Sequence, residues 1–123
     1  ASGEADAAGQ TAAPADKQPT EDEEAQKQKM FKEWQAKIQA QQSQVDLMTR
    51  ELDVANREYR LRAAAFYADA GNRLRNAGAW DKEDGQYKDQ LADKQKKVEE
   101  AKKQLEDLQE QARKAGVPSS MRE

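Results

Sequence analysis

The sequence predicts an all-α protein: an antiparallel two-helix coiled-coil hairpin that follows a disordered N-terminal tail. Three observations lead to this prediction. Large apolar residues recur at heptad spacing, the stretch from residue 21 to about residue 70 holds neither Gly nor Pro, and turn signals cluster between residues 69 and 85. Heptad spacing places apolar side chains along one side of a helix, and that side needs a partner helix.

The composition argues against a large compact core. Charged residues make up 37% of the 123-residue chain, and the mean hydropathy is -1.24. Such values are typical of disordered chains. Here, however, the few large apolar residues fall almost entirely on helical stripes, so we expect a thin, elongated coiled coil.

Residues 1–20 form the predicted tail. They are acidic, rich in small and polar residues, interrupted by Pro14 and Pro19, and without periodicity. Thr20 and Glu23 then match a capping box, in which each side chain bonds to the backbone of the other residue at the start of a helix. The first helix is therefore predicted to begin at residue 21.

The first helix carries a seam of apolar heptad positions, where a second helix can pack. A first set of positions comprises Phe31, Ile38, Val45, Leu52, Tyr59 and Phe66. A companion set follows three residues after each: Trp34, Gln41, Met48, Ala55 and Arg62.

The end of the first helix is the least determined boundary. Residues 69–72 offer one stop, and residues 76–78 offer a better one, with Gly78 in the left-handed conformation after the helix. Because Leu74 falls near the seam, we expect the first helix to span about residues 21–77.

The second helix is predicted to span about residues 81–115. Asp81 serves as its cap, and Trp80, just before the cap, covers the last layer of the seam. Its own heptad positions comprise Leu91, Val98, Leu105 and Ala112, with a companion set of Trp80, Tyr87, Lys94, Ala101, Leu108 and Ala115. The hairpin as a whole is assigned to residues 21–118, and residues 119–123 form a short C-terminal tail.

Two helices joined by a few residues run antiparallel. A turn centred near residue 78 places Phe66 against Tyr87 and Leu91, and Tyr59 beside Lys94.

This predicted pairing leaves an open end at the start of the first helix. Met30, Phe31 and Trp34 lie there, with only Pro118 and Met121 available to cover them. Phe31 and Trp34 are therefore candidate interaction residues.

A second line of small and apolar residues on the first helix is not explained by the hairpin. It consists of Ala40, Leu47, Val54, Leu61 and Ala68, and we call it the outer line. At 100° per residue it lies roughly opposite the seam. Isolated surface apolar residues are common, but three large aliphatic side chains in one line favour a second interface. Leu47, Val54 and Leu61 are the main candidate interaction residues.

The sequence gives no indication of catalysis or of a cofactor. With neither Cys nor His, the chain lacks thiolate and imidazole nucleophiles and the usual zinc ligands. Residues 81–85 resemble the start of a calcium loop, but the register would place Trp80 and Leu91 at ligand positions. We therefore expect no catalytic residues, no metal site, no cofactor, no small-molecule substrate and no enzymatic activity. No apolar run is long enough to span a membrane.

A group of arginines near aromatic residues raises nucleic-acid binding as a hypothesis. The group comprises Arg57, Arg60, Arg62, Arg73 and Arg75. Basic residues beside aromatic rings can bind phosphate and stack on bases. On a helix these arginines point in different directions, and the pI is about 5.2. Pairing with acids, among them Glu51, Glu58 and those of the second helix, is the favoured interpretation.

Three stretches, residues 46–59, 90–97 and 105–118, together with the turn region around Tyr67, resemble a group of uncharacterised secreted coiled-coil proteins from acidobacteria. The resemblance covers roughly residues 30–123. It implies export beyond the inner membrane and a two-helix coiled coil, with no established activity. The small, polar residues at the start of the chain suit either a mature chain left after signal-peptide removal or a chain that was trimmed.

The sequence thus predicts a non-enzymatic structural or protein-interaction module, secreted or periplasmic, that self-associates through its first helix. An alternative is a chaperone-like binder of client polypeptides at Phe31 and Trp34. Nucleic-acid binding is less favoured.

Overall fold

The computed structural model describes residues 20–123 and confirms the predicted fold class. It contains four helices: α1 (Glu21–Ala68), α2 (Ala70–Arg75), α3 (Ala77–Lys114) and α4 (Ser119–Arg122). The two long helices, α1 and α3, pack against each other as an antiparallel hairpin. The predicted disordered tail lies almost wholly outside the described residues.

The start of α1 follows the predicted capping box. The Glu23 amide donates a hydrogen bond to Thr20 Oγ1 at 3.2 Å, and the Thr20 amide donates to Glu23 Oε2 at 3.3 Å. Four acidic residues occupy the first turn, where the positive end of the helix dipole favours them. At 48 residues, α1 is roughly 72 Å long.

The turn lies earlier than predicted. Instead of running to residue 77, α1 ends at Ala68, because Asp69 adopts an extended conformation (φ -105°, ψ 105°). The Asp69 side chain caps the short helix α2 by accepting a hydrogen bond from the Asn72 amide at 3.2 Å. Leu74, which we expected near the seam, is 87% exposed.

The start of the second long helix also differs from the prediction. It begins at Ala77, so Gly78 lies inside the helix and Asp81 follows the first turn rather than capping it. Asn76 is the N-cap residue, but its side chain accepts no capping hydrogen bond from the helix. The side-chain nitrogen of Asn76 instead donates to Asn72 Oδ1 at 2.6 Å. Two side-chain hydrogen bonds, one between Asp69 and Asn72 and one between Asn72 and Asn76, therefore stabilise the turn segment, residues 69–76.

This earlier turn changes which residues face each other. Phe66 stacks on Trp80 with 5.0 Å between ring centroids, and Tyr59 lies 5.9 Å from Tyr87 rather than beside Lys94. An earlier turn moves each partner on α3 to an earlier residue, because the helices are antiparallel. For Phe66 and Tyr59 the partner lies one heptad earlier than predicted, although the predicted seam positions other than Arg62 are buried or half-buried.

The end of α3 reverses the chain over a glycine. Gly116 adopts φ 88°, a left-handed conformation that favours glycine. The Val117 amide donates to Ala112 O and the Gly116 amide to Arg113 O, both at 3.0 Å, which is the Schellman arrangement. The helix α3 ends at Lys114, one residue before the predicted end at about residue 115.

A small apolar core closes this end of the hairpin. Ile38, Ala112 and Val117 are buried together. The half-buried side chains that pack against them are Phe31, Trp34, Leu105, Leu108, Ala115 and Met121. Helix α4 thus folds back and brings Met121 over the end that we expected to be open. Within the described residues, none of the helices is long and apolar enough to cross a membrane.

Candidate protein-interaction surface

The outer line remains exposed along the middle of α1. The exposed fraction is 49% for Leu47, 51% for Val54 and 72% for Leu61. Ala40 and Ala68, at the two ends of the line, are exposed as well. Because the seven-residue spacing keeps these side chains on one side of α1, the structure brings the three predicted aliphatic residues together in one line.

Opposite charges lie on the two sides of the outer line. Arg50 and Arg57 follow Leu47 and Val54 by three residues, and Glu51 and Glu58 follow them by four. At 100° per residue, the arginines lie about 60° to one side of the line and the glutamates about 40° to the other. We call these pairs the basic flank (Arg50, Arg57) and the acidic flank (Glu51, Glu58); all four side chains are exposed.

The acidic flank is the one that lies toward α3. A groove of about 420 Å³ runs between the helices, and its lining includes Leu47, Met48, Glu51 and Lys94. A second groove of about 360 Å³ continues along Val54 and shares Glu51 and Lys94 with the first. Leu47 and Val54 of the outer line therefore lie at the rim of a surface depression beside the seam.

Phe31 and Trp34, the other two predicted interaction residues, lie elsewhere. They are half-buried at the closed end, against the core formed by Ile38, Ala112 and Val117. The Lys37 ammonium sits 5.1 Å from the centre of the Trp34 ring, within cation–π range. The two predicted groups of interaction residues are thus separate, and Phe31 and Trp34 are largely occupied by their own chain.

Two polar contacts across the helices, those made by Gln41 and Tyr59, were not anticipated from the sequence. Gln41, at a seam position, donates from Nε2 to the Ala101 carbonyl oxygen at 2.9 Å. The Tyr59 hydroxyl donates to Asp84 Oδ1 at 2.6 Å. The contact of Gln41 could have been predicted, because a polar side chain in an otherwise apolar seam needs a hydrogen-bond partner. The contact of Tyr59 with Asp84 could not, because it requires knowing which residues of the two helices face each other.

Electrostatics strengthen the seam near the turn. The hydrogen bond from Tyr59, followed by that from Lys88, lowers the pKa of Asp84. Arg62 binds Glu83 through two nitrogens, at 2.7 and 3.2 Å, and this contact lowers the pKa of Glu83. Both carboxylates are therefore stabilised in their charged form by a group on the opposite helix, and Asp84 also by Lys88 on its own helix.

Two of the five grouped arginines are engaged by acidic side chains. Arg62 pairs with Glu83 on α3, and Arg57 pairs with Asp53 on α1 at 2.9 Å. The partner of Arg57 is thus Asp53 rather than Glu51 or Glu58. These contacts turn Arg62 toward the seam and Arg57 away from it, so they do not form a single basic strip for a phosphate backbone.

Within residues 20–123, no group of three or more acidic side chains is arranged to hold a metal ion. Comparison with family models, curated proteins and solved structures finds no match to the chain. The class of protein is therefore defined by the fold itself: an all-α helical hairpin with exposed apolar residues along one long helix.

Proposed function

We propose that the protein is a non-enzymatic protein-interaction module that self-associates through the outer line. The observation that carries this proposal is the exposure of Leu47, Val54 and Leu61 in one line along α1. Single exposed leucines need no explanation. Three large aliphatic side chains at heptad spacing match the way one helix presents apolar side chains to another.

The distribution of apolar surface supports this assignment. Among the described residues, the exposed large apolar side chains are Leu47, Val54, Leu61, Tyr67 and Leu74. All of them lie on α1 and α2. The large apolar residues of α3 are buried or half-buried in the hairpin, so α1 is the long helix that offers large apolar side chains to a second molecule.

Solution mass tests the proposal. We expect the parent to exceed its monomer mass of 13.8 kDa in sedimentation or light scattering. Replacing Leu47, Val54 or Leu61 by Glu should shift the mass to that of the monomer, because a charge would be buried in an apolar contact.

Circular dichroism should show unchanged helicity in these variants, because the replaced side chains are exposed. Ala92→Glu, at an exposed site on α3, is the matched control and should keep the parental mass. A monomeric parent, or a mass that none of the three substitutions alters, contradicts the proposal.

Client binding at Phe31 and Trp34 is not favoured, because both side chains already pack against the core at the closed end. Location outside the cytoplasm rests on the resemblance of residues 30–123 alone and stays a prediction.

A further inference from the structure

The charges beside the outer line indicate how two copies meet. We propose that two hairpins pair along their outer lines with their α1 helices parallel and in register, related by a two-fold axis that runs along the helices. The partner is thus a second copy of this chain. This inference rests on the self-association proposed above and adds its geometry.

A parallel two-fold pair brings opposite flanks together. Rotation by 180° about an axis along the helices places the basic flank of one copy beside the acidic flank of the other. Glu51 then lies one residue, about 1.5 Å along the axis, from the level of Arg50 in the second copy. Glu58 is related in the same way to Arg57. The two-fold axis repeats both contacts on the other side of the outer line.

An antiparallel two-fold pair brings like flanks together. Its axis is perpendicular to the helices, so each flank faces its own copy. With Val54 at the centre, Arg50 lies near Arg57 of the second copy and Glu51 near Glu58. Like charges held next to each other destabilise helix contacts. The charge pattern therefore selects the parallel arrangement.

The ion pair that the basic flank makes within its own chain does not prevent contact with the acidic flank of a second copy. Arg57 pairs with Asp53 within α1, but their side chains are 73% and 58% exposed. Ion pairs as exposed as this one contribute little stability, so Arg57 is able to turn toward a second copy.

The contact is expected to be confined to the two α1 helices. The residues of α3 that line the two grooves are Gln90, Asp93, Lys94 and Lys97. These side chains are polar or charged, so this side of α3 has no apolar stripe to complete a compact four-helix bundle. The second copy is therefore held by the outer line and its flanks.

Disulfide trapping tests the orientation, because the chain contains no Cys of its own. Leu47→Cys, Val54→Cys and Leu61→Cys are prepared separately in the full chain and oxidised mildly. In the parallel pair every residue faces itself, so all three variants should form covalent dimers. Ala92→Cys on α3 is the matched control and should form few.

Other outcomes separate this inference from the proposed function. An antiparallel pair would give a different result. The parent would have the mass of a dimer, Val54→Cys alone would cross-link with itself, and Leu47→Cys mixed with Leu61→Cys would form a mixed covalent dimer. That result overturns the inference and leaves self-association standing. Cross-linking at none of the three sites, or a mass above the dimer, overturns the inference too. A monomeric parent overturns both.

Charge reversal gives a second, independent test. In the parallel pair, Arg50→Glu with Arg57→Glu turns attraction into repulsion and should raise the dimer dissociation constant roughly tenfold or more. Adding Glu51→Arg and Glu58→Arg to the same chain exchanges the flanks and should restore the affinity.

An antiparallel pair would merely replace facing arginines by facing glutamates, and its affinity would change little. The matched control, Arg60→Glu with Lys96→Glu, makes the same change in net charge at exposed positions away from the outer line. A reversal of the basic flank that weakens the dimer no more than this control overturns the inference.

Discussion

At the scale of single residues, Trp80 shows how one side chain closes the turn. Its ring stacks on that of Phe66. It also lies in a T-shaped arrangement with the ring of Tyr67, with 6.2 Å between the ring centroids. Its indole nitrogen donates a hydrogen bond to the Tyr67 hydroxyl at 3.4 Å. The sequence predicted that Trp80 covers the last layer of the seam, and this is confirmed. The residue does so from inside the first turn of α3 rather than from just before a cap.

Truncation of Trp80 should be among the most damaging single changes in the chain. Trp80→Ala removes a ring that is only 4% exposed, and we expect a loss of about 3–5 kcal/mol in the free energy of unfolding. Urea unfolding followed by circular dichroism, at one fixed protein concentration, measures it.

Tyr67→Ala removes a neighbouring ring that is 57% exposed, and it should cost clearly less than Trp80→Ala. Equal losses for the two variants would contradict the role assigned to the buried stack.

The contact between Tyr59 and Asp84 predicts a specific response to acid. Because the folded state lowers the pKa of Asp84 below its unfolded value, this contact stabilises the fold fully above that unfolded value, about 3.9. The stabilisation is lost as the pH falls through the lower folded pKa. Unfolding free energies measured between about pH 6 and about pH 2 should therefore fall more steeply for the parent than for Asp84→Asn.

Tyr59→Phe serves as the matched variant, because it removes the first cause of the low pKa of Asp84 while keeping the aromatic ring. It too should show a shallower acid response than the parent. An Asp84→Asn profile parallel to that of the parent would show that Asp84 does not contribute through this contact.

At the scale of helices, the seams could be predicted and the turn could not. Heptad spacing depends only on which side of a helix is apolar, and every predicted seam position from Phe31 to Phe66 except Arg62 is buried or half-buried. The turn region offers two sets of Asn and Gly residues with similar helix-ending chemistry, at residues 69–72 and 76–78. Choosing between them requires the stack of Phe66 on Trp80, which joins residues in different helices.

A pair of substitutions distinguishes the two turn arrangements. Asp69→Ala removes the cap of α2 and should cost about 1 kcal/mol of unfolding free energy. Asp81→Ala should cost clearly less, because Asp81 lies after the first turn of α3 and caps no helix. Thermal or urea unfolding of the two variants measures both values, and a larger loss for Asp81→Ala would contradict the observed turn.

At the scale of the whole molecule, the pairing of the two helices was not fixed by their repeats. Near the turn the partners are shifted by one heptad, which keeps the same set of seam positions in contact and still sets apolar residues against apolar ones. Contacts such as Arg62 with Glu83 and Gln41 with Ala101 distinguish one pairing from the other. They become visible only once the turn is placed.

The candidate surface was predictable to the extent that it depends on α1 alone. Leu47, Val54 and Leu61 lie away from the seam whatever the pairing, and the structure leaves them exposed. The covering of Phe31 and Trp34 depends on the chain reversal at Gly116 and on the return of Met121. The chain reversal is a backbone conformation and the packing of Met121 is a contact between residues far apart in the chain, and heptad periodicity predicts neither.

The early turn also has a consequence for the order of folding. Phe66 and Trp80 are 14 residues apart in the chain, so their contact closes a short loop at a small entropic cost. Gln41 and Ala101 are 60 residues apart, but that distance is shortened step by step once the first contact has formed. We therefore expect the contacts between the two long helices to form progressively, starting at Phe66 and Trp80 beside the turn and ending with the core around Ile38 and Val117.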